Sequence, residues 1–167
     1  SMPVLDDLPD GYQVAVENSA IVYDDGEGTV STIVCNWFGA GNAGLADPDN
    51  DSSIQSYANI YDQNWLMKGN VMIAPGVERV DTLKTADGYE MKSIWSRNDL
   101  RDTAIMKLST ATGYIYGYVQ DLDTGMWQYI ILDFATGETV FTMDVSNKYG
   151  YNNMAIGMYA GNSGNAL

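Results

Sequence analysis

The sequence predicts an all-β protein, and three observations carry this prediction. No segment keeps an apolar repeat of about 3.6 residues, whereas short runs that alternate apolar and polar residues recur between Gly, Asp and Asn turns. The chain contains 17 Gly, 12 Tyr and 4 Trp, which are typical of turns and strands. Its 22 acidic residues are mostly Asp, which favours turns, and rarely Glu, which favours helix interiors.

The alternating runs predict about twelve strands. They lie near residues 12–16, 20–23, 29–37, 56–61, 65–73, 77–84, 89–95, 103–109, 114–120, 126–134, 139–145 and 153–159. The run at 127–134 is apolar on both faces, which predicts a central strand that is covered on both sides. The run at 139–145 alternates, so we predict an outer strand with Phe141, Met143 and Val145 facing inward.

Turns that contain glycine are expected to join these strands into antiparallel hairpins. Residues 134–138 close the hairpin after the central strand, and Asp121–Gly125 closes the hairpin before it. Three or four strands connected in this order form one meander sheet, which is also the unit of a β-propeller blade. A faint repeat of strand and Gly-rich turn, at 18–28 and at 153–164, agrees with repeated units.

The hairpin at 131–141 resembles the repeat signature of pyrroloquinoline-quinone-type (PQQ-like) β-propellers. In that signature an Asp is followed by Thr-Gly and then by an aromatic residue, usually Trp. Asp133, Thr136 and Gly137 match this pattern, and Phe141 occupies the aromatic position. The resemblance implies a blade architecture in which the aromatic side chain packs between neighbouring blades. It implies no activity, and no quinone-binding residue is carried over.

We therefore predict a partial β-propeller of about three blades, built from antiparallel meander sheets. Residues 1–167 form either a single all-β domain or a segment of a longer propeller. Residues 1–10 are predicted to be an N-terminal tail, because Ser1-Met2 resembles a cloning remnant. Propellers usually close with about 4–8 blades, so an incomplete ring is expected to form an oligomer. A two-sheet β-sandwich is the alternative architecture.

The charge and the missing histidines exclude several classes of function. With 22 acidic and 8 basic residues, the net charge of −14 repels nucleic-acid phosphates. The absence of histidine excludes Ser–His, Cys–His and His–metal sites within the chain. Cys35 is the single cysteine, and its strand-like surroundings predict a buried core residue. No run approaches the ~20 apolar residues of a membrane-spanning helix.

An acidic loop is the candidate metal site. Asp47, Asp49 and Asp51 occupy alternate positions, which places three carboxylates on one side of a tight loop, as Ca²⁺ requires. Gln55 stands where some propeller calcium loops carry Asp. The loop at 39–53 is long and rich in Gly, Asn and Asp, which is typical of functional or metal-stabilised loops. The alternative is a solvated acidic turn without a bound ion.

Three tyrosines are the candidate ligand-stacking residues. Tyr114, Tyr116 and Tyr118 alternate along one predicted strand, so their rings share one face of the sheet. Flat apolar rings with polar tips suit stacking against sugars. The same pattern is also typical of a core between two sheets, and both interpretations are retained.

These features favour a non-catalytic binding or scaffold segment of a β-propeller with a structural Ca²⁺ site. The protein is expected to be extracellular, periplasmic or on the cell surface. Its expected partners are a protein or a glycan, without nucleic acid and without a membrane span. A carbohydrate-binding β-sandwich is the first alternative. The second is a fragment of a carboxylate-dependent hydrolase or of a quinone-dependent dehydrogenase, for which the sequence identifies no catalytic residue.

A Ca²⁺ ion bound at Asp47, Asp49 and Asp51 would raise the melting temperature, because it binds the folded chain. Such a ligand adds about 2.7 kcal/mol of stability at a concentration of 100 times its Kd. Thermal melting in EDTA and in added Ca²⁺ measures this effect. Equal melting temperatures under the two conditions would remove the calcium hypothesis.

Overall fold

The computed structural model of the protein describes residues 2, 5, 12–13, 20–36, 72–73, 75–102, 105–121 and 126–146. Within these residues the regular secondary structure consists of strands, without a helix. The strands are β1 (Tyr12–Gln13), β2 (Ile21–Asp24), β3 (Thr29–Cys35), β4 (Met72–Ile73), β5 (Val77–Thr85), β6 (Gly88–Arg97), β7 (Arg101–Asp102), β8 (Lys107–Ser109), β9 (Tyr114–Gln120), β10 (Trp127–Asp133) and β11 (Thr139–Ser146). The predicted all-β fold is confirmed. The predicted strands at 56–61 and 153–159 lie outside the described residues.

The first sheet is an antiparallel meander in the order β2-β3-β5-β6. An Asp side chain stabilises the turn between β2 and β3, since Asp25 Oδ1 accepts hydrogen bonds from the amides of Glu27 (2.7 Å) and Thr29 (3.0 Å). These bonds favour the ionised carboxylate and lower the pKa of Asp25 below its usual value. Part of the abundant Asp therefore serves turn formation, as the composition indicates.

The second sheet is also an antiparallel meander, in the order β11-β10-β9-β7. β8 pairs with the same edge of β9 as β7 does, so the two short strands act as one interrupted strand. β10 lies between β9 and β11, which confirms its predicted central position. Apart from the two meanders, β1 pairs with β4 in parallel.

The two meanders pack against each other through one apolar core. It contains residues from both sheets and from the connection between them: Ile33, Cys35, Val77, Trp95, Leu100, Met106, Ile115, Val119, Ile130 and Leu132. The predicted burial of Cys35 is confirmed, and Trp95 and Trp127 are also buried. Two face-packed meanders occur both in adjacent blades of a propeller and in a sandwich.

The inward orientation predicted for β11 is wrong. Phe141, Met143 and Val145 are all exposed to solvent. For Phe141 and Met143 the cause is a β-bulge, because Leu132 is paired with Thr139 but Ile131 is paired with Phe141. Val140, between Thr139 and Phe141, has no register partner, so Phe141 and Met143 are turned to the face of Ile131 and Tyr129. A second register shift leaves Val145 without a register partner.

The N-terminal segment contacts the first sheet at Leu5. Its amide donates a 2.6 Å hydrogen bond to Glu78 Oε2. Its side chain is buried against Gly76, where an added Cβ would lie 2.8 Å from Leu5 Cδ2. Part of the predicted tail at 1–10 therefore packs on the sheet.

The turn between β10 and β11 is held by its own hydrogen bonds. Asp133 Oδ1 accepts bonds from the amides of Ala135 and Thr136, both at 2.9 Å. Thr136 Oγ1 accepts a bond from the Glu138 amide at 3.2 Å. Gly137 adopts a left-handed φ of 73°, which glycine tolerates without steric cost. The Asp, Thr and Gly that carry the family resemblance thus build a well-defined turn.

This turn packs against the inner face of the first sheet. The Trp95 ring covers Gly137 so closely that an added Cβ would lie 2.6 Å from Trp95 Cδ2. The carbonyl oxygen of Phe134 accepts hydrogen bonds from Trp95 Nε1 (3.0 Å) and Arg79 Nη1 (2.9 Å). The Arg79 guanidinium lies 3.9 Å from the centroid of the Phe134 ring, and Arg97 Nη1 donates to Gly137 O at 2.8 Å. The turn therefore connects the two sheets.

We expect Gly137→Ala to lower the free energy of unfolding by about 2–5 kcal/mol. The methyl group meets both a left-handed backbone and the Trp95 ring. Gly26→Ala is the matched control, because Gly26 has a similar φ of 76° with no atom within 4 Å of the added Cβ. It should cost only about 1–2 kcal/mol. Urea unfolding of both variants tests this, and equal losses would contradict the close Trp95 contact.

Candidate functional site

The two sites predicted from the sequence differ in what the structure shows of them. Asp47, Asp49, Asp51 and Gln55 lie outside the described residues, so the calcium site stays a prediction. Within the described part of the chain, no cluster of three or more His, Cys, Asp or Glu side chains is placed to hold a metal ion. The tyrosines of β9 are described.

These tyrosines lie on the face of the second sheet that points away from the first sheet. The intervening residues Ile115 and Val119 are buried in the core, as the alternation predicts. The strand register places side chains of β10 and β11 beside the tyrosines. We call this surface the aromatic face, and it consists of Tyr114, Tyr116, Tyr118, Trp127, Tyr129, Ile131, Phe141 and Met143.

A stacked pair of rings forms the buried part of the aromatic face. Tyr118 and Trp127 stack with ring centroids 5.4 Å apart and ring planes 9° apart. Tyr129 packs against Tyr118 at the same centroid distance with a tilt of 59°. Tyr118 is only 4% exposed, so it supports its neighbours and is not itself available for stacking against a ligand. A ligand on this face would therefore contact the neighbours of Tyr118 and not the Tyr118 ring itself.

Three apolar side chains form the accessible part of the aromatic face. Phe141 is 51% exposed, Met143 48% and Tyr129 37%. Met143 is the register partner of Tyr129, and Phe141 is the partner of Ile131, so the three lie side by side across two strands. A sheet is flat on the scale of these side chains, and large apolar groups exposed together on such a surface are typical of binding sites.

The sequence pattern pointed to Tyr114 and Tyr116, which are half-buried, but Tyr129, Phe141 and Met143 were not predicted as site residues. Tyr129 alternates with Ile130 in β10, which was a usable signal for its position on the face of Tyr118. The exposure of Phe141 and Met143 had no such signal, because it depends on the bulge opposite Ile131.

The described cysteine supplies no exposed nucleophile. Cys35 is buried, and burial, reinforced by the nearby Asp102 carboxylate, raises its pKa well above the ordinary value. A thiol kept protonated in this way is a poor nucleophile.

Comparison of the chain with protein-family models, with curated proteins and with solved structures found no match in any of the three. Among the described residues there is also no helix with the length and apolar character needed to cross a membrane.

The raised pKa of Cys35 predicts that stability falls above about pH 9, the ordinary pKa of this thiol. The unfolded chain then releases the thiol proton while the folded chain keeps it, so higher pH favours unfolding by up to about 1.4 kcal/mol per pH unit. Urea unfolding between pH 8 and 10.5 measures this slope. Cys35→Ala is the control, because its slope lacks the thiol contribution. Identical slopes in the two proteins would contradict the assignment.

Proposed function

We propose that the chain is a non-catalytic binding module of a secreted or surface protein, and that the aromatic face is its binding surface. The observation that carries this proposal is the joint exposure of Tyr129, Phe141 and Met143 on one side of the second sheet. Aromatic residues and Met are enriched in the centres of protein interfaces, and few such residues supply most of the binding energy.

The packing beside these side chains favours binding over simple exposure. Tyr118, which stacks on Trp127, packs against the Tyr129 ring on the same face, so little side-chain freedom is lost when a partner contacts Tyr129. The turn beside Phe141 is fixed by Asp133 and Gly137. A preorganised apolar surface of this kind keeps more of its contact energy as affinity.

The net charge indicates which partner suits this surface. Glu138, just before β11, and Asp144, within β11, flank Phe141 and Met143 in the sequence, and the whole chain carries a charge of −14. A protein with an apolar patch bordered by basic residues would be attracted and oriented by this field. We propose such a protein as the partner, with the two meander sheets as a blade-type scaffold and Ca²⁺ at Asp47, Asp49 and Asp51 as a structural ion.

A glycan is the second candidate ligand of the same surface. The observation that favours it is the proximity of exposed Tyr129 to half-buried Tyr116, which combines flat rings with phenolic hydroxyl groups. Sugars stack their apolar faces on such rings and bond to the hydroxyl groups. A glycan array tests this candidate, and binding abolished by Tyr116→Ala would support it, whereas no binding to any glycan would count strongly against it.

Truncation of Tyr129 and Phe141 to Ala tests the aromatic face as a protein-binding surface. Each truncation should weaken binding by roughly 30-fold if the ring is a central contact worth about 2 kcal/mol. The measurement is the Kd, by biolayer interferometry, for a partner identified by crosslinking to the intact chain. Tyr89→Ala is the matched control, because Tyr89 is an exposed aromatic residue of β6 on the other sheet. An equal loss in the control, or no loss in either face variant, would contradict the proposal.

A further inference from the structure

The structure contains a cleft that the aromatic face does not include. It lies between β2, at one edge of the first meander, and β8, which pairs with the outer edge of β9 in the second. Its volume is about 240 Å³. Ligand pockets for drug-sized molecules measure roughly 300–1,000 Å³, so this cleft suits a smaller molecule, such as one with a single unbranched hydrocarbon chain.

The floor of the cleft is continuous with the apolar core. Met106 belongs to the core cluster, and Ile21 and Leu108 pack against that cluster. Met106 is also firmly placed, since its methyl group occupies the space above Gly117, where an added Cβ would lie only 2.8 Å from Met106 Cε. An apolar chain laid on this floor would leave water without displacing a polar group.

Lys107 supplies a positive charge to the lining of the cleft. Among the described cations, Arg79, Lys92 and Arg97 each have a carboxylate partner within 4 Å. Among the described residues, the Lys107 side chain has no ion pair and no hydrogen bond, although the residue is half-buried and the chain has an excess of acids. An ammonium group that has no carboxylate partner within the described part of the chain would pair favourably with an added carboxylate.

The register shows how the two features combine. Lys107 is paired with Tyr116, so its side chain leaves β8 on the side of the aromatic face, opposite to the core-facing side chains of Met106 and Leu108. The positive charge is thereby separated from the apolar floor by the thickness of one strand. A ligand that satisfies both needs an apolar chain with an anionic group at one end.

We propose that this cleft binds a small monocarboxylate with an unbranched apolar chain. The chain contacts Ile21, Met106 and Leu108, and the carboxylate pairs with Lys107. Tyr23 and Thr110 also line the cleft, and each carries a hydroxyl group that can donate a hydrogen bond. We expect the ligand to carry a single negative charge, because the net charge of −14 on the chain would repel a polyanion.

Sodium octanoate is the probe, and octanol is its uncharged counterpart. Isothermal titration should show saturable octanoate binding that weakens about tenfold or more in Lys107→Met, which keeps the aliphatic stem and removes the charge. Octanol binding should be the same in both proteins. Lys84→Met is the matched control, since Lys84 is exposed, has no ion pair with another described residue, and is not part of the cleft lining. Octanoate should bind this control as it binds the unchanged chain.

The methyl resonances of ¹³C-labelled methionine locate the bound octanoate. Octanoate in the cleft shifts the Met106 signal, whereas octanoate on the aromatic face shifts the Met143 signal. A Met143 shift without a Met106 shift would overturn the proposal, as would equal octanoate affinity in Lys107→Met and the unchanged chain. Absence of saturable octanoate binding would also overturn it. Matching melting curves of Lys107→Met and the unchanged chain show that the variant folds.

Discussion

The contact between Trp95 and Gly137 connects the two halves of the structure. The glycine lets the turn after β10 approach the ring within van der Waals distance, and a side chain at this position would prevent that approach. Once the turn is in place, the Phe134 carbonyl accepts bonds from both Trp95 and Arg79. Each meander alone would expose its apolar inner face to water. The contact between the Trp95 ring and Gly137 therefore holds the two sheets together beside the other core contacts.

The aromatic face depends on this junction indirectly. Because Ile130 and Leu132 are committed to the core, the alternate residues of β10, Tyr129 among them, must point outward. The same alternation in β9 buries Ile115 and turns Tyr116 outward. Docking of the second sheet thus determines which of its faces is available to a partner, and the Tyr118–Trp127 stack stiffens that face.

Local chemistry made part of this structure predictable. The Asp133, Thr136 and Gly137 turn follows from side-chain hydrogen bonds and backbone freedom within a few residues, and β9 lies at the predicted positions 114–120. The partner of Gly137 was not predictable in the same way, since Trp95 is distant in the sequence. The predicted inward orientation of Phe141 was also wrong, because that orientation depends on the register between β10 and β11. Asp47, Asp49, Asp51 and Gln55 remain a sequence prediction.

The bulge at Val140 means that a one-residue change in the length of β11 alters which side chains the strand exposes on each face. A single residue inserted in one strand reverses the side on which Phe141 and Met143 appear, while the turn before it and the core beneath β10 are left as they are. Loss or gain of one codon therefore moves these apolar side chains from one face of the second sheet to the other, without a change in the apolar pattern of the strand. Related chains that differ by one residue at this point would share a scaffold and present different side chains on its outer face.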